Sequence, residues 1–438
     1  MARLFGTDGV RGLANGDVLT PELALAFAAS AATVLLPAGS RPRVVIGRDT
    51  RPSGPMLEAA AVAGFTSAGC DVTLLGVVPT PAVAFATAQR DARLGLMISA
   101  SHNAMPDNGL KLFGDGGWKL PDAVEDAIEA GLSSPRRVQG ADVGQVRDEP
   151  GWLQDYADHL LTAAHADLQG LTVVVDCAQG AASAVAPELY RRAGAQVVAI
   201  HADGDGLRIN EASGATHLES LQAAVLEHDA DLGLAHDGDA DRCLAVDAAG
   251  TVVDGDQLLA LLAVGLQERG ELTTGTVVAT VMSNLGFVRA MAEHGIDVVQ
   301  TAVGDRYVLE AMQEGGHALG GEQSGHTVLL GHATTGDGLL TGIRVLSRMA
   351  ETGRPLADLA AVMTRLPQVL VNVRAERSRA QDDDVLAAVA REQELLGAGG
   401  RVLLRPSGTE ALVRVMVEAE TAEQAREVAD RLAEVVGG

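Results

Sequence analysis

Ser101 stands in the run Met97-Ile-Ser-Ala-Ser-His-Asn103, where a hydroxyl is followed by an imidazole and a carboxamide. A serine in such a loop is a candidate covalent carrier of a transferred group once neighbours activate it or a metal stabilises what it attacks. A second run, His236-Asp-Gly-Asp-Ala-Asp-Arg242, places the carboxylates of Asp237, Asp239 and Asp241 at every second position. Three anions crowded into one turn call for a cation, and three carboxylates leave positions open around Mg²⁺ for a phosphate oxygen. An EF-hand calcium loop is excluded, because Arg242 stands where its glycine belongs and Ala248 where its glutamate belongs. A third run, Gly320-Gly-Glu-Gln-Ser-Gly-His326, sets the Glu322 carboxylate and the Ser324 hydroxyl two residues apart, a pairing suited to adjacent sugar hydroxyls. A fourth, Arg405-Pro-Ser-Gly-Thr-Glu410, combines a guanidinium, the hydroxyls of Ser407 and Thr409, and Gly408, which lets backbone N–H groups converge on a phosphate. Arg414, at the far end of the next strand, offers a second fork. The Gly-x-x-x-x-Gly-Lys loop of ATPases and the Gly-x-Ser-x-Gly elbow of α/β-hydrolases are both absent.

Composition narrows the partners. A formal charge of −25 argues against nucleic acid and anionic membrane, so an anionic substrate must be captured by local groups. Of 33 basic residues only Lys111 and Lys119 are lysine, and Lys111 lies close enough in the chain to Ser101 to serve as a compact ammonium there. No apolar run reaches membrane-spanning length and the N-terminus lacks a signal core, so a cytoplasmic location is expected. Cys70, Cys177 and Cys243 form neither a disulfide framework nor a zinc site and read as buried or semi-buried thiols.

The elements that must position these groups repeat. A β-rich run, a small-residue loop and a helix occur at Arg43–Gly47 into Ser53–Ala68, at Thr172–Asp176 into Ala181–Ala193, and at Thr276–Thr280 into Leu285–His294. Each helix closes at a glycine, Gly69, Gly194 or Gly295, as a left-handed cap would have it. Second strands follow at Asp71–Leu75, Gln196–Ile200 and Asp297–Thr301. Third strands at Leu94–Ile98, Leu232–Ala235 and His317–Leu319 each run into a chemical loop. Equivalent strand ends are where α/β sheets place their chemistry. Gly6-Thr-Asp-Gly-Val-Arg-Gly12 reads as a loop with one cation, Arg11, and Thr20-Pro21 as a helix start running to Leu36. Ser133–Glu149 suits an exposed connection. The tail alternates strands at 369–373, 401–404 and 412–418 with helices at 382–396 and 421–436, a small α+β domain. The expected domains are 1–151, 152–249, 250–366 and 367–438.

Taken together and in this order, Gly-Thr-Asp-Gly-Val-Arg-Gly, Ile-Ser-Ala-Ser-His-Asn, Asp-Gly-Asp-Ala-Asp-Arg, Gly-Glu-Gln-Ser-Gly-His and Arg-Pro-Ser-Gly-Thr-Glu resemble the motifs of the α-D-phosphohexomutases. Gln323 points to the bacterial branch that works on glucosamine phosphates; the phosphomannomutase/phosphoglucomutase branch, which tends to carry methionine there, is the alternative. The resemblance implies three similar α/β domains with mixed sheets and a smaller C-terminal α+β domain, arranged as a heart around a central cleft. It implies a phosphoserine at Ser101, with Ser101, Asp237, Asp239 and Asp241 on Mg²⁺. Glu322, Gln323 and Ser324 would hold the sugar, and Arg405, Ser407, Gly408, Thr409 and Arg414 the non-reacting phosphate. Arg11, His102, Lys111 and His326 fall among its catalytic groups, with Lys111 and His326 both candidates for the general acid/base, and Asn103 and Arg242 lie beside them. The implied reaction interconverts glucosamine 6-phosphate and glucosamine 1-phosphate through a hexosamine 1,6-bisphosphate, feeding UDP-N-acetylglucosamine and cell-wall synthesis. The implied partners are a phosphosugar and, as an open possibility, a second copy in a homodimer. One departure stands out: the family usually reads Ser-His-Asn-Pro, whereas here Ala104 follows Asn103 and proline waits until Pro106, from which a more mobile serine loop is expected.

Overall fold

The computed structural model describes residues 3–6, 8–37, 39, 41–89, 92–149, 151–406 and 411–438. The chain forms two compact bodies, one from residues 1–281 and 296–361, the other from 282–295 and 362–438. No helix among the described residues is long and apolar enough to cross a membrane.

The larger body carries three mixed sheets on one plan. In the first, strands run in the order Val10–Leu13, Asp107–Phe113, Ala92–Ile98, Arg43–Arg48, Asp71–Val77, Val146–Asp148. Arg43–Arg48 pairs in parallel with both neighbours, and Asp107–Phe113 returns antiparallel to Ala92–Ile98. The second sheet repeats this with Thr172–Asp176 between Gln196–Ile200 and Leu232–His236, and Cys243–Asp247 returning antiparallel. The third has Thr276–Thr280 between Asp297–Thr301 and Leu319–Gly321, with Thr327–Leu329 returning. Each chemical loop is therefore the turn between a buried parallel strand and its antiparallel return. Strand pairing at both ends fixes where the loop points.

Parallel strands buried on both faces read as runs of Val, Ile and Leu. Val44, Ile46, Leu94, Leu96 and Ile98 accordingly sit in one apolar core with Phe27, Leu57 and Phe65 from the two helices above. Each such side chain contributes about 1.5–3 kcal/mol by leaving water. The first helix, Pro21–Leu35, starts where Thr20 accepts from the Leu23 N–H and Pro21 needs no partner. It crosses the helix Gly54–Ser67 closely because Gly64 has no side chain; a Cβ there would lie 2.4 Å from the Leu25 carbonyl oxygen. All three cysteines are buried, as the sequence indicates.

The smaller body is a three-stranded antiparallel sheet, Gln368–Arg374, Leu412–Glu418 and Arg401–Pro406, under the helices Asp383–Leu396 and Ala422–Gly437. Val413, Val415 and Val417 pack against Val428, Leu432 and Val436. The helix Leu285–Glu293 belongs to this body: the Glu418 carboxylate accepts from the Leu285 N–H, and Asn284 bonds both backbone groups of Leu366.

Four local expectations need correction. Val10–Leu13 is a strand, not part of a loop, because the distant strand Asp107–Phe113 supplies its pairing. Within the exposed 133–149 connection, Val146–Asp148 joins the edge of the first sheet. The third strand of the third unit lies at Leu319–Gly321, two residues beyond expectation. Its glycines are packing residues, since a Cβ on Gly320 would strike the Met312 sulfur at 2.6 Å. The 181–193 helix is broken into a short 3₁₀ turn, Ala181–Ala184, and Ala186–Arg192, because Pro187 lacks the N–H that a continuous helix would use.

Candidate active site

The larger body brings the serine, acidic and Glu322–His326 loops together. Ser101 is 1% exposed and holds a left-handed backbone at φ 52°, a conformation that L-residues adopt at a cost. Its N–H donates to the Ser99 hydroxyl at 2.9 Å and its own hydroxyl donates to Asp237 Oδ2 at 2.5 Å. The close approach depends on Gly238, where a Cβ would stand 2.6 Å from the Ser101 carbonyl oxygen. His102 lies alongside with Nδ1 3.4 Å from the serine oxygen. Burial, then the charges of Arg242 and Arg11, lower its pKa to about 4, so the ring is neutral at neutral pH.

Asp237, Asp239 and Asp241 are all buried, and one carboxylate oxygen of each lies within 4.8 Å of the others. Burial, then the neighbouring Asp241 and Asp239, push the Asp237 carboxyl well above its ordinary range, and burial with Asp239 raises Asp241. Burial opposes ionisation of Asp239 too, but the Lys111 ammonium and hydrogen bonds from Lys111 and Thr80 outweigh it and hold that carboxyl low. Oδ1 of both Asp239 and Asp241 has no hydrogen-bond partner. Three converging buried carboxylates, two of them with an oxygen that has no donor, fit a divalent metal ion. Behind the loop, Tyr190 donates to His236 Nε2 at 3.1 Å and His236 Nδ1 donates to the Arg242 carbonyl at 3.0 Å, closing the loop end to end.

Lys111, on the return strand opposite Met97, is 3% exposed. Its ammonium touches Asp8 at 2.7 Å, Asp239 at 2.8 Å and Asp241 at 3.6 Å. Burial alone would depress its pKa, but these carboxylates more than offset that and raise it. Asp8 also accepts from Arg11 at 2.6 Å and from Lys119 at 2.7 Å, and Lys119 bridges onward to Asp305. Arg11 in turn reaches the Ala100 carbonyl at 3.4 Å.

The Glu322–His326 loop meets the acidic loop directly: Arg242 and His326 form an antiparallel bridge and the Cys243 N–H donates to the Gly325 carbonyl at 3.0 Å. Glu322 accepts from the Gly304 N–H. Gln323 Nε2, Ser324 Oγ, Arg242 Nε and both ring nitrogens of His326 are buried without a hydrogen-bond partner, and His326 Nε2 lies 3.7 Å from Asp305. Asn103 instead donates to Asp107 within its own loop.

Arg405 and Arg414 belong to the smaller body. Arg414 is not at the far end of its strand but directly opposite Arg405 in register, with Nε buried and unpartnered. Two like charges facing each other across a strand pair are unfavourable until an anion lies between them. Ser407, Gly408 and Thr409 fall outside the described residues.

Sequence reasoning missed Asp8, which gathers three cations, Thr80, which holds Asp239, and the trio Asp49, Arg51 and Asn210. The Arg51 guanidinium donates to the carbonyls of Ser101, Asn103, Ala104 and Asp107 at 2.6–2.9 Å. The Ala104 carbonyl is one of four tied to this single buried side chain, a restraint on the serine loop that needs no proline at 104. The available signal was charge: Arg48-Asp-Thr-Arg51 follows a β-rich run at the same strand end as the chemical loops.

Four domain families of the phosphoglucomutase/phosphomannomutase type match the chain: alpha/beta/alpha domain I over residues 2–137, II over 154–250, III over 254–366, and the C-terminal domain over 370–435. A phosphoglucosamine mutase of Frankia alni is 64% identical, covering 100% of this chain and 98% of its own. Among solved structures, a phosphoglucomutase/phosphomannomutase family protein of Burkholderia thailandensis superposes with a TM-score of 0.85 at 23% identity, covering 99% of this chain and 97% of the other. N-acetylphosphoglucosamine mutase of Aspergillus fumigatus, solved with GlcNAc-6P and magnesium, gives 0.73 at 19% identity, covering 99% and 95%. The loops that converge on Ser101 and the full-length sequence match together make this chain an isomerase-class enzyme of the α-D-phosphohexomutase family, in its bacterial phosphoglucosamine mutase branch.

Proposed function

We propose that the enzyme interconverts glucosamine 6-phosphate and glucosamine 1-phosphate by way of a phosphate carried on Ser101, and so supplies UDP-N-acetylglucosamine and cell-wall synthesis. The observation that carries this reading is the 2.5 Å contact between the Ser101 hydroxyl and Asp237, inside a buried carboxylate trio with unpartnered oxygens. Asp237, Asp239 and Asp241, with an oxygen of the Ser101 phosphate, would hold Mg²⁺, the ion present in the Aspergillus fumigatus structure. When bound, it would neutralise charge on the transferring phosphoryl group.

In the first transfer the Ser101 Oγ–P bond breaks and a bond forms from phosphorus to the free sugar hydroxyl, whose proton passes to a base while the departing Ser101 oxygen takes up a proton and becomes a hydroxyl. Lys111 is engaged with carboxylates on two sides, whereas both His326 nitrogens are without partners, which favours His326 as the base and Lys111 with Arg11 as fixed positive charge. Glu322, Gln323 and Ser324 would grip the middle of the sugar, and the facing guanidiniums of Arg405 and Arg414, with Ser407, Gly408 and Thr409, the phosphate that does not react. The resulting hexosamine 1,6-bisphosphate turns over and returns its other phosphate to Ser101. Domain divisions near 151, 249 and 366 give each domain one of the four loops.

Ser101→Ala is expected to abolish turnover while calorimetry still detects glucosamine 6-phosphate binding; near-normal turnover rejects the reading. Chelation should silence the enzyme and Mg²⁺ restore it. Comparison of kcat/KM on 2-amino and 2-hydroxy hexose phosphates tests the branch, and a preference for the 2-hydroxy sugars would assign the enzyme to phosphomannomutase or phosphoglucomutase activity.

A further inference from the structure

We propose that Arg51 and Asn210 are positioning residues for phosphoryl transfer, acting through the backbone of the serine loop. The proposal rests on Ser101 being the carrier. Arg51 is fully buried, although a guanidinium is among the costliest side chains to remove from water. Its side-chain donors all go to the serine loop or to the carboxylate that anchors it. Nε donates to Asp49 at 2.9 Å, and the remaining bonds reach four carbonyls between Ser101 and Asp107. Asp49 also accepts from the Ser99 hydroxyl at 2.6 Å, and that hydroxyl accepts from the Ser101 N–H. Ser101 is thereby held at both ends of its own backbone, through Asp49 and Ser99 at its N–H and through Arg51 at its carbonyl.

Asn210 comes from the second sheet's domain and donates to the carbonyls of Ser101 and Asn103 at 2.8 and 3.0 Å. The same domain carries the acidic loop. The serine carbonyl is thus the point at which the first domain's clamp and the second domain's clamp meet. Together they set the distance between the serine oxygen and Asp237. The left-handed backbone of Ser101 would relax without such over-determination. A lysine at 51 has a single nitrogen and cannot span four carbonyls, so charge alone cannot replace the fork. An error of about 1 Å in such geometry costs on the order of 10²-fold in rate.

The test uses the full-length enzyme labelled with phosphate on Ser101 and measures single-turnover transfer to glucosamine 6-phosphate, alongside steady-state kcat and KM. Arg51→Lys should slow transfer about 10²-fold and Asn210→Ala about 10-fold, with KM for the sugar phosphate within about threefold of the parent. Millimolar guanidinium, but not ammonium, should restore part of the rate of Arg51→Ala. If the Arg51 variants do not fold, Asn210→Ala decides alone. Folded variants that transfer phosphate within about threefold of the parent, or whose loss lies wholly in KM, overturn the proposal. Turnover by Ser101→Ala would instead overturn the carrier role, a failure distinguishable from this one.

Discussion

Ser101 and Ala240 both hold left-handed backbone, at φ 52° and 58°, and they lie on the two loops that face each other. Strain of this kind collects where the surroundings over-determine a conformation. Ala240 is fully buried, so a larger side chain there would have to displace packed neighbours. Ala240→Gly relieves the backbone but loses a buried methyl and adds freedom to the unfolded chain, so stability should change by less than about 1 kcal/mol. Ala240→Val adds a β-branch to a positive φ and should cost about 2 kcal/mol or more. Urea midpoints of the two variants check both values, and a valine variant as stable as the parent would show that the turn is not held as described.

Asp337 shows how an element places a site residue at a distance. It caps the helix Gly338–Thr352 by accepting from the Leu340 N–H at 2.9 Å, and it accepts from the Tyr156 hydroxyl at 2.8 Å. The Gly338 N–H then reaches the Ala240 carbonyl, so the helix start also braces the acidic loop. Burial pushes the Asp337 carboxyl up to about 6. Because the folded pKa lies above the unfolded one, the unfolded chain gives up its proton first. The stabilisation is complete below the unfolded pKa, near 4, and is lost as pH rises through about 6. Asp337→Asn mimics the protonated form and should gain stability relative to the parent by about 2–3 kcal/mol between pH 4 and pH 7. Denaturation at both pH values checks this; a difference independent of pH would refute it.

Across the larger body, charge ties the sheets together. Asp239 of the second domain, Lys111, Asp8 and Lys119 of the first, and Asp305 of the third form one chain of alternating sign. Only two lysines occur in the sequence, and both join this chain of charges, Lys111 buried and Lys119 partly buried. Asp8 would keep Arg11 and Lys111 if Lys119 were lost, but among the described residues Asp305 would keep only His326 at 3.7 Å and the start of its own helix. Lys119→Met should therefore cost about 2–4 kcal/mol, most of it from the stranded carboxylate, and adding Asp305→Asn should recover more than half. A double-mutant cycle by chemical denaturation measures the coupling, and strict additivity would argue against the bridge.

The sequence by itself determined the repeated strand-and-helix plan, the tail domain and the contiguous motifs at Ser101, Asp237–Asp241 and Glu322–His326. Hydrophobic periodicity and loop chemistry are local properties and survive in one dimension. Only the tertiary structure decided which distant groups serve those loops. Arg51, Asp8, Thr80 and Asn210 act through hydrogen bonds spanning dozens of residues, and Val10–Leu13 is a strand because the remote Asp107–Phe113 pairs with it. Arg414 faces Arg405 for the same reason: strand register is set by pairing across the sheet, and no spacing along a single strand encodes it.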